Sequence, residues 1–160
     1  MKKLQKIIKR ISKIDKIGVF ANREINKNEE LFIFSDNVIE LKHKPGCHCE
    51  ICCRCIQIGE YAWLYPEENS FGWYLNHSCN PSCGIRNNKI IAIENIKKWG
   101  EITIDYSTTN NDMDWVMDCS CNSKDCRKKI RSVQFLPEEL FKKYESFMPE
   151  YISRCYPTKS

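Results

Sequence analysis

The chain has 160 residues, 42% hydrophobic and 29% charged, which is enough for one domain with a real core, too few for two, and too apolar for wholesale disorder. Its formal net charge of +4 is uneven: residues 1–16 hold seven Lys or Arg and one Asp, so the remainder sums to −2 and is no basic platform for nucleic acid. No apolar run reaches the length of a secretory signal or a membrane span. Eleven cysteines, an odd number that cannot all pair within one molecule, then indicate a soluble, reducing compartment where clustered thiols usually mean metal.

In chain order, Leu4, Ile7, Ile8, Ile11 and Ile14 recur at helical spacing with lysines opposite, which predicts a short amphipathic helix or a solvated basic arm over residues 1–16. Residues 31–34, 54–58, 89–96 and 101–106 are short, β-branched or aromatic stretches set between Asn, Gly, Asp and Pro, so the body is mainly β. Within the last of these, a two-residue period places Ile102, Ile104 and Tyr106 on one face and Thr103 and Asp105 on the other. One helix is predicted late, opening at Pro137 with Glu138 and Glu139 in its first turn, carrying the stripe Leu140, Phe141, Tyr144 and Phe147, and ending at Pro149. The absence of repeats and low-complexity linkers again favours one domain.

Two cysteine clusters stand out. Cys119, Cys121 and Cys126 lie within eight residues, a spacing that lets three thiolates converge on a tetrahedral ion but leaves the fourth ligand to come from elsewhere. The run Cys47-His48-Cys49-Glu50-Ile51-Cys52-Cys53-Arg54-Cys55 is dense enough for a second ion, with a redox-sensitive loop or a thiol-rich turn as alternatives. Cys53, Cys83 and Cys155 are read as structural or free thiols.

Asn76-His77-Ser78-Cys79, then Gly100-Glu101-Ile102-Thr103-Ile104-Asp105-Tyr106, then the CxCxxxxC of Cys119, Cys121 and Cys126 follow one another in an order that resembles the core of SET-domain protein lysine methyltransferases with a post-SET zinc motif, and the chain's small size and tail resemble bacterial SET proteins. The resemblance implies a β-rich α+β fold, a β-clip of short curved sheets with a pseudoknot, a post-SET zinc site and a C-terminal helix. It divides the chain into residues 1–16, a SET domain over 17–110 with an insert at about 40–70, a post-SET segment over 111–131 and a helical extension over 132–160. It further implies an S-adenosylmethionine-dependent protein lysine N-methyltransferase acting on a protein or peptide that presents a lysine, such as a histone or another basic tail. Tyr106 would be catalytic, Phe34 and Ile104 would line the lysine channel, and Cys79 would join Cys119, Cys121 and Cys126 around Zn2+.

By the same resemblance Lys16, Ile17 and Gly18 form the first cofactor loop, and Trp73, Tyr74, Asn76 and His77 the second cofactor segment. Only the second glycine of the family's Gly-x-Gly is kept; Lys16 takes the place of the first and reduces the loop's freedom. Ile104 stands where the family commonly carries Phe or Tyr, and since Ile offers no hydrogen bond to a water or an amine, it predicts that di- or trimethylation is permitted. Neither a membrane nor nucleic acid is required, and the expected location is intracellular: cytoplasmic, chromatin-associated or inside a host cell. The competing readings are a SET-like zinc-binding interaction module without turnover and an unrelated zinc-binding nucleic-acid module.

Overall fold

The computed structural model describes residues 5–42 and 44–157. Among the described residues, twelve short strands form four small sheets. The first sheet has the order β1 (Ile7–Ile11), β2 (Ile17–Ala21), β10 (Glu101–Ile104), β7 (Asn76–His77), and β7 runs parallel to β10 with Asn76 opposite Thr103 and His77 opposite Ile104. The second joins β3 (Glu30–Ile33), β9 (Lys89–Ala92) and β8 (Cys83–Arg86); the third joins β4 (Val38–Glu40), β6 (Ala62–Leu64) and β5 (Ile56–Gln57). The hairpin of β11 (Val116–Asp118) and β12 (Lys129–Arg131) makes the fourth.

Residues 7–11 form a strand, not the amphipathic helix predicted from their isoleucines. Ile7 is buried at 3% exposure against Ile11 at 88%, so the two do not share an apolar stripe. Isoleucine is β-branched and favours extended backbone, and pairing across β2 satisfies the backbone as a helix would, with a tertiary partner in addition. Leu4 lies outside the described residues. Arg10 lays its guanidinium 4.7 Å from the Trp99 ring, so one basic side chain of this segment packs on the domain.

Two other elements differ from expectation. Arg54 closes a short helix, α1 (Glu50–Arg54), and only Ile56–Gln57 of the predicted strand pairs. The late helix divides into α2 (Glu138–Tyr144), a 3-10 turn (Glu145–Phe147) and α3 (Glu150–Arg154), with Pro149 just before α3. Proline has no N–H to give and a fixed φ, so the residue that stops one helix starts the next.

The main core gathers Val19, Phe34, Ile56, Leu75, Ile90, Ile102 and Ile104 between the sheets. A second cluster surrounds Cys79, Trp115, Cys121 and Ile130, and a third seats Val133, Tyr144, Met148 and Ile152 under the C-terminal helices. Tyr106 packs against the first two clusters. Among the described residues no helix is long and apolar enough to cross a membrane.

Candidate active site

Strand β10 ends at Ile104, and the chain turns at once into a 3-10 helix, Tyr106–Thr108. Asp105 causes the turn: its buried carboxylate accepts the Ser107 N–H at 2.9 Å and caps the helix. Thr103 and Asp105 are as buried as Ile102 and Ile104, so the strand is covered on both faces instead of one. Ile104 and Tyr106 nevertheless line one cavity, as their spacing predicts.

That cavity also takes walls from Phe34, Trp73 and Arg54. A second cavity is lined by Asp15, Asn76, His77, Met117 and Cys119, and Tyr106 belongs to both linings. Its ring lies 5.3 Å from the His77 ring, and its hydroxyl donates to the Leu75 carbonyl at 2.7 Å. With the proton so placed, the lone pairs of the oxygen remain as acceptors. Burial pushes the phenol upward from its usual pKa, so it stays protonated.

Asn76 ties the second cavity to the hairpin between β1 and β2. Its side-chain amide donates toward the carbonyls of Asp15 at 3.2 Å and Ile17 at 3.4 Å and to Glu101 Oε1 at 2.9 Å. Gly18 permits this closeness: a Cβ there would stand 2.2 Å from Glu101 Oε1 and 3.1 Å from the Asn76 nitrogen. Lys16 adopts φ +36°, the left-handed conformation a glycine would take without cost, so the hairpin keeps the shape while carrying the strain. Its carbonyl accepts the Ser12 N–H at 3.0 Å, closing the turn.

Trp73 lines the first cavity, not the one shared by Asn76 and His77, and the Arg54 guanidinium covers its ring at 4.0 Å. Tyr74 belongs to neither lining; its hydroxyl donates to Asn69 Oδ1 at 2.7 Å.

His77 joins the two cavities to the thiols. Its Nδ1 accepts the Tyr106 N–H at 3.1 Å, so in the neutral ring the proton sits on Nε2, which donates to Cys79 Sγ at 3.4 Å. Burial, and secondarily the charge of Arg127, push His77 down to about 3. The neutral ring therefore contributes stability in full above its unfolded pKa of about 6.5 and loses it progressively as pH falls toward the folded value. Between pH 6.5 and 4.5 the metal-free protein is expected to lose stability through this group at up to about 1.4 kcal/mol per pH unit. Urea midpoints of His77→Gln, which lacks this group, should fall less steeply over that interval.

The donor atoms of His77, Cys79, Cys119 and Cys121 all lie within 4.8 Å of one another. The Cys79 and Cys119 sulfurs are 3.7 Å apart, close to the ~3.8 Å edge of a tetrahedron with Zn–S bonds of ~2.3 Å. Backbone N–H groups point at three sulfurs: Arg127 at Cys79 (3.3 Å), Cys79 at Cys121 (3.4 Å) and Cys121 at Cys119 (3.4 Å). Although burial acts the other way, the Cys79 N–H and Ser123 pull Cys121 down to about 6. Burial pushes Cys79 and Cys119 upward, so in the metal-free protein the N–H groups favour thiolate at Cys121 alone; the four donors together fit a soft cation. Cys126 is not in the 4.8 Å group; it packs on the same cluster, its Sγ 3.8 Å from the Cys119 carbonyl.

Asp105, Arg127 and Arg54, none of them singled out from the sequence, complete the site. Arg127 gives Nη2 to Asp105 Oδ1 at 2.6 Å, Nη1 to Ser107 Oγ at 3.2 Å and Nε to Cys79 Sγ at 3.5 Å. Burial pushes the Asp105 carboxyl upward and Arg127 pulls against it. The signal available was position: Asp105 precedes Tyr106 and Arg127 follows Cys126, so an opposite pair flanks two expected site residues.

The family model for the SET domain matches residues 40–107, a stretch that includes Asn76, His77, Cys79 and Tyr106. Over that stretch, and in its β-rich arrangement of small sheets with few helices, the chain is similar to the SET domain. Among solved structures it is similar to a "putative histone methyltransferase" of Plasmodium falciparum, at 24% identity, with 65% of this chain and 95% of that one covered and a TM-score of 0.46.

Proposed function

We propose that the chain is an S-adenosylmethionine-dependent protein lysine N-methyltransferase that acts on basic protein tails such as those of histones. The observation that carries this reading is that Tyr106 stands in the wall of both cavities, one with Phe34, Trp73 and Ile104 among its walls, the other holding Asn76 and His77. A lysine side chain suits the first, and the amino-acid end of the methyl donor suits the polar groups of the second. S-adenosylmethionine, when bound, supplies an electrophilic methyl group on a sulfonium.

The chain's own residues then have three tasks. Phe34, Trp73 and Ile104 strip water from the amine, and desolvation lowers its pKa from about 10.4 toward the neutral, nucleophilic form. The Arg54 guanidinium, which donates to the Trp73 carbonyl at 2.8 Å, adds a positive charge that disfavours the ammonium further. The Tyr106 oxygen, its proton given to Leu75, accepts from the amine and aligns it. No side chain needs to act as a strong base, because the proton leaves the ammonium for solvent before attack. Zn2+, held by Cys79, Cys119, Cys121 and Cys126 with His77 donating to Cys79, would be a structural cross-link between β7 and the post-SET segment.

Mass spectrometry of basic proteins incubated with the full chain and isotopically labelled S-adenosylmethionine is the test. Label on lysine, lost in Tyr106→Phe, is expected; binding of the donor without transfer would assign the chain to the module without turnover. Strongly salt-dependent nucleic-acid affinity carried by residues 1–16 would favour the nucleic-acid reading.

Ile104 is buried in the first cavity and brings no polar atom to the amine. Wild type is therefore expected to carry the product to di- or trimethyl-lysine, and Ile104→Tyr, with a larger side chain and a hydroxyl, to stop at monomethyl. Monomethyl product from both proteins would remove Ile104 as the determinant.

A further inference from the structure

Cys47, Cys49 and Cys52 bring their three sulfurs within 4.8 Å of one another, in a loop remote in sequence from the post-SET cysteines. The Cys49 and Cys52 sulfurs are 3.2 Å apart, and the backbone N–H groups of Cys49 and Cys52 point at the sulfurs of Cys47 and Cys49, each at 3.4 Å. N–H groups aimed at sulfur stabilise thiolate, and three convergent thiolates are a donor set for a soft cation. We propose that this loop is a second zinc site, held by the thiolates of Cys47, Cys49 and Cys52.

Helix α1 supplies an independent reason. It has five residues and buries none of them, so length does not account for it, and Arg54 at its end supplies its packing on Trp73. Its N-cap is Cys49, whose sulfur accepts the Cys52 N–H, and an ion on Cys47, Cys49 and Cys52 would clamp the first turn to the loop before it. That loop is already fixed from the other side: the Gly46 N–H donates to Asp112 at 2.7 Å, and the His48 ring stacks on Trp115 at 6.3 Å. His48 is not in the group whose donor atoms lie within 4.8 Å of one another.

The far end of α1 carries Arg54, which packs on Trp73 and lines the first cavity. The ion would thus hold one wall of that cavity without touching what binds there. Binding requires only that three thiols lose their protons to solvent; no oxidant is involved.

The test is a metal count on the full chain, loaded with zinc under reductant, passed through gel filtration and measured by inductively coupled plasma mass spectrometry. Two ions per chain are expected, falling to one in Cys49→Ser and in Cys52→Ser, with Cys53→Ser unchanged. Cys121→Ser separates the sites: it also falls to one, and that remaining ion must be lost in the Cys49→Ser, Cys121→Ser double variant. A wild type with a single ion, kept in Cys121→Ser and lost in Cys49→Ser, would equally support the loop site while removing the other one. With cobalt(II) as the probe, a thiolate-to-metal band kept in Cys121→Ser and lost in Cys49→Ser gives the same assignment by spectroscopy. An unchanged zinc count in Cys49→Ser overturns the proposal, as does a Cys49–Cys52 disulfide found by peptide mapping in protein that takes up no metal at the loop.

Discussion

Arg127→Ala is expected to lower stability by about 3–5 kcal/mol, because it leaves Asp105 charged, buried and without its partner. The Asp105 side chain is 1% exposed and the Arg127 side chain 17%, so water reaches neither well enough to replace the 2.6 Å contact between them. One carboxylate oxygen already has no partner within the protein. The substitution also removes the donors to Ser107 Oγ and Cys79 Sγ, although the backbone N–H to Cys79 survives any side chain. Arg127→Lys keeps the charge but has no planar fork to reach all three acceptors, and should fall between wild type and alanine. Adding Asp105→Asn to Arg127→Ala removes the orphaned charge, so the double variant should lose less than the two single losses combined. Urea denaturation of all four proteins decides the matter; a loss below about 1 kcal/mol for Arg127→Ala would mean that the pair is as solvated as an ordinary surface bridge.

What could be read from the sequence followed how local each signal is. Ile104 and Tyr106 reach one cavity because two-residue alternation survives the break into a 3-10 turn. Asn76 and His77 sit beside Tyr106 through the parallel pairing of β7 with β10, a contact of two residues per strand that has no periodicity to detect. The isoleucines of residues 7–11 fit helix and strand alike, and only the presence of β2 as a partner decides between them. Helix α1 was hidden for a different reason: its middle is two cysteines, which carry little propensity either way, and it has no apolar stripe because it buries nothing. Arg127 and Asp105 meet across 22 positions, and a charge pair of that separation leaves no trace in composition or spacing. The resemblance groups Trp73 with Asn76 around the cofactor, yet at the 3-10 turn Gly72–Tyr74 Trp73 joins the lining of the other cavity.

Tyr106→Phe is expected to reduce methyl transfer by about 10²–10³-fold, or about 2.7–4 kcal/mol of barrier, which is the usual cost of removing one preorganised polar contact from a reaction centre. The ring keeps its place against His77 and the apolar wall, so the donor's affinity should be unchanged. The hydroxyl's bond to Leu75 disappears with it, and an unsatisfied carbonyl there costs about 1–3 kcal/mol of stability, too little to unfold a typical domain. Loss of turnover with intact donor binding and a modestly lowered urea midpoint is thus the signature of a positioning hydroxyl. Because burial holds the phenol protonated, a rate that rises with pH reports the substrate amine, and Tyr106→Phe should keep that pH profile at a lower amplitude. A profile that flattens in the variant would make Tyr106 the base. A variant that transfers methyl within about three-fold of wild type, less than 1 kcal/mol of barrier, would remove Tyr106 from the chemistry altogether.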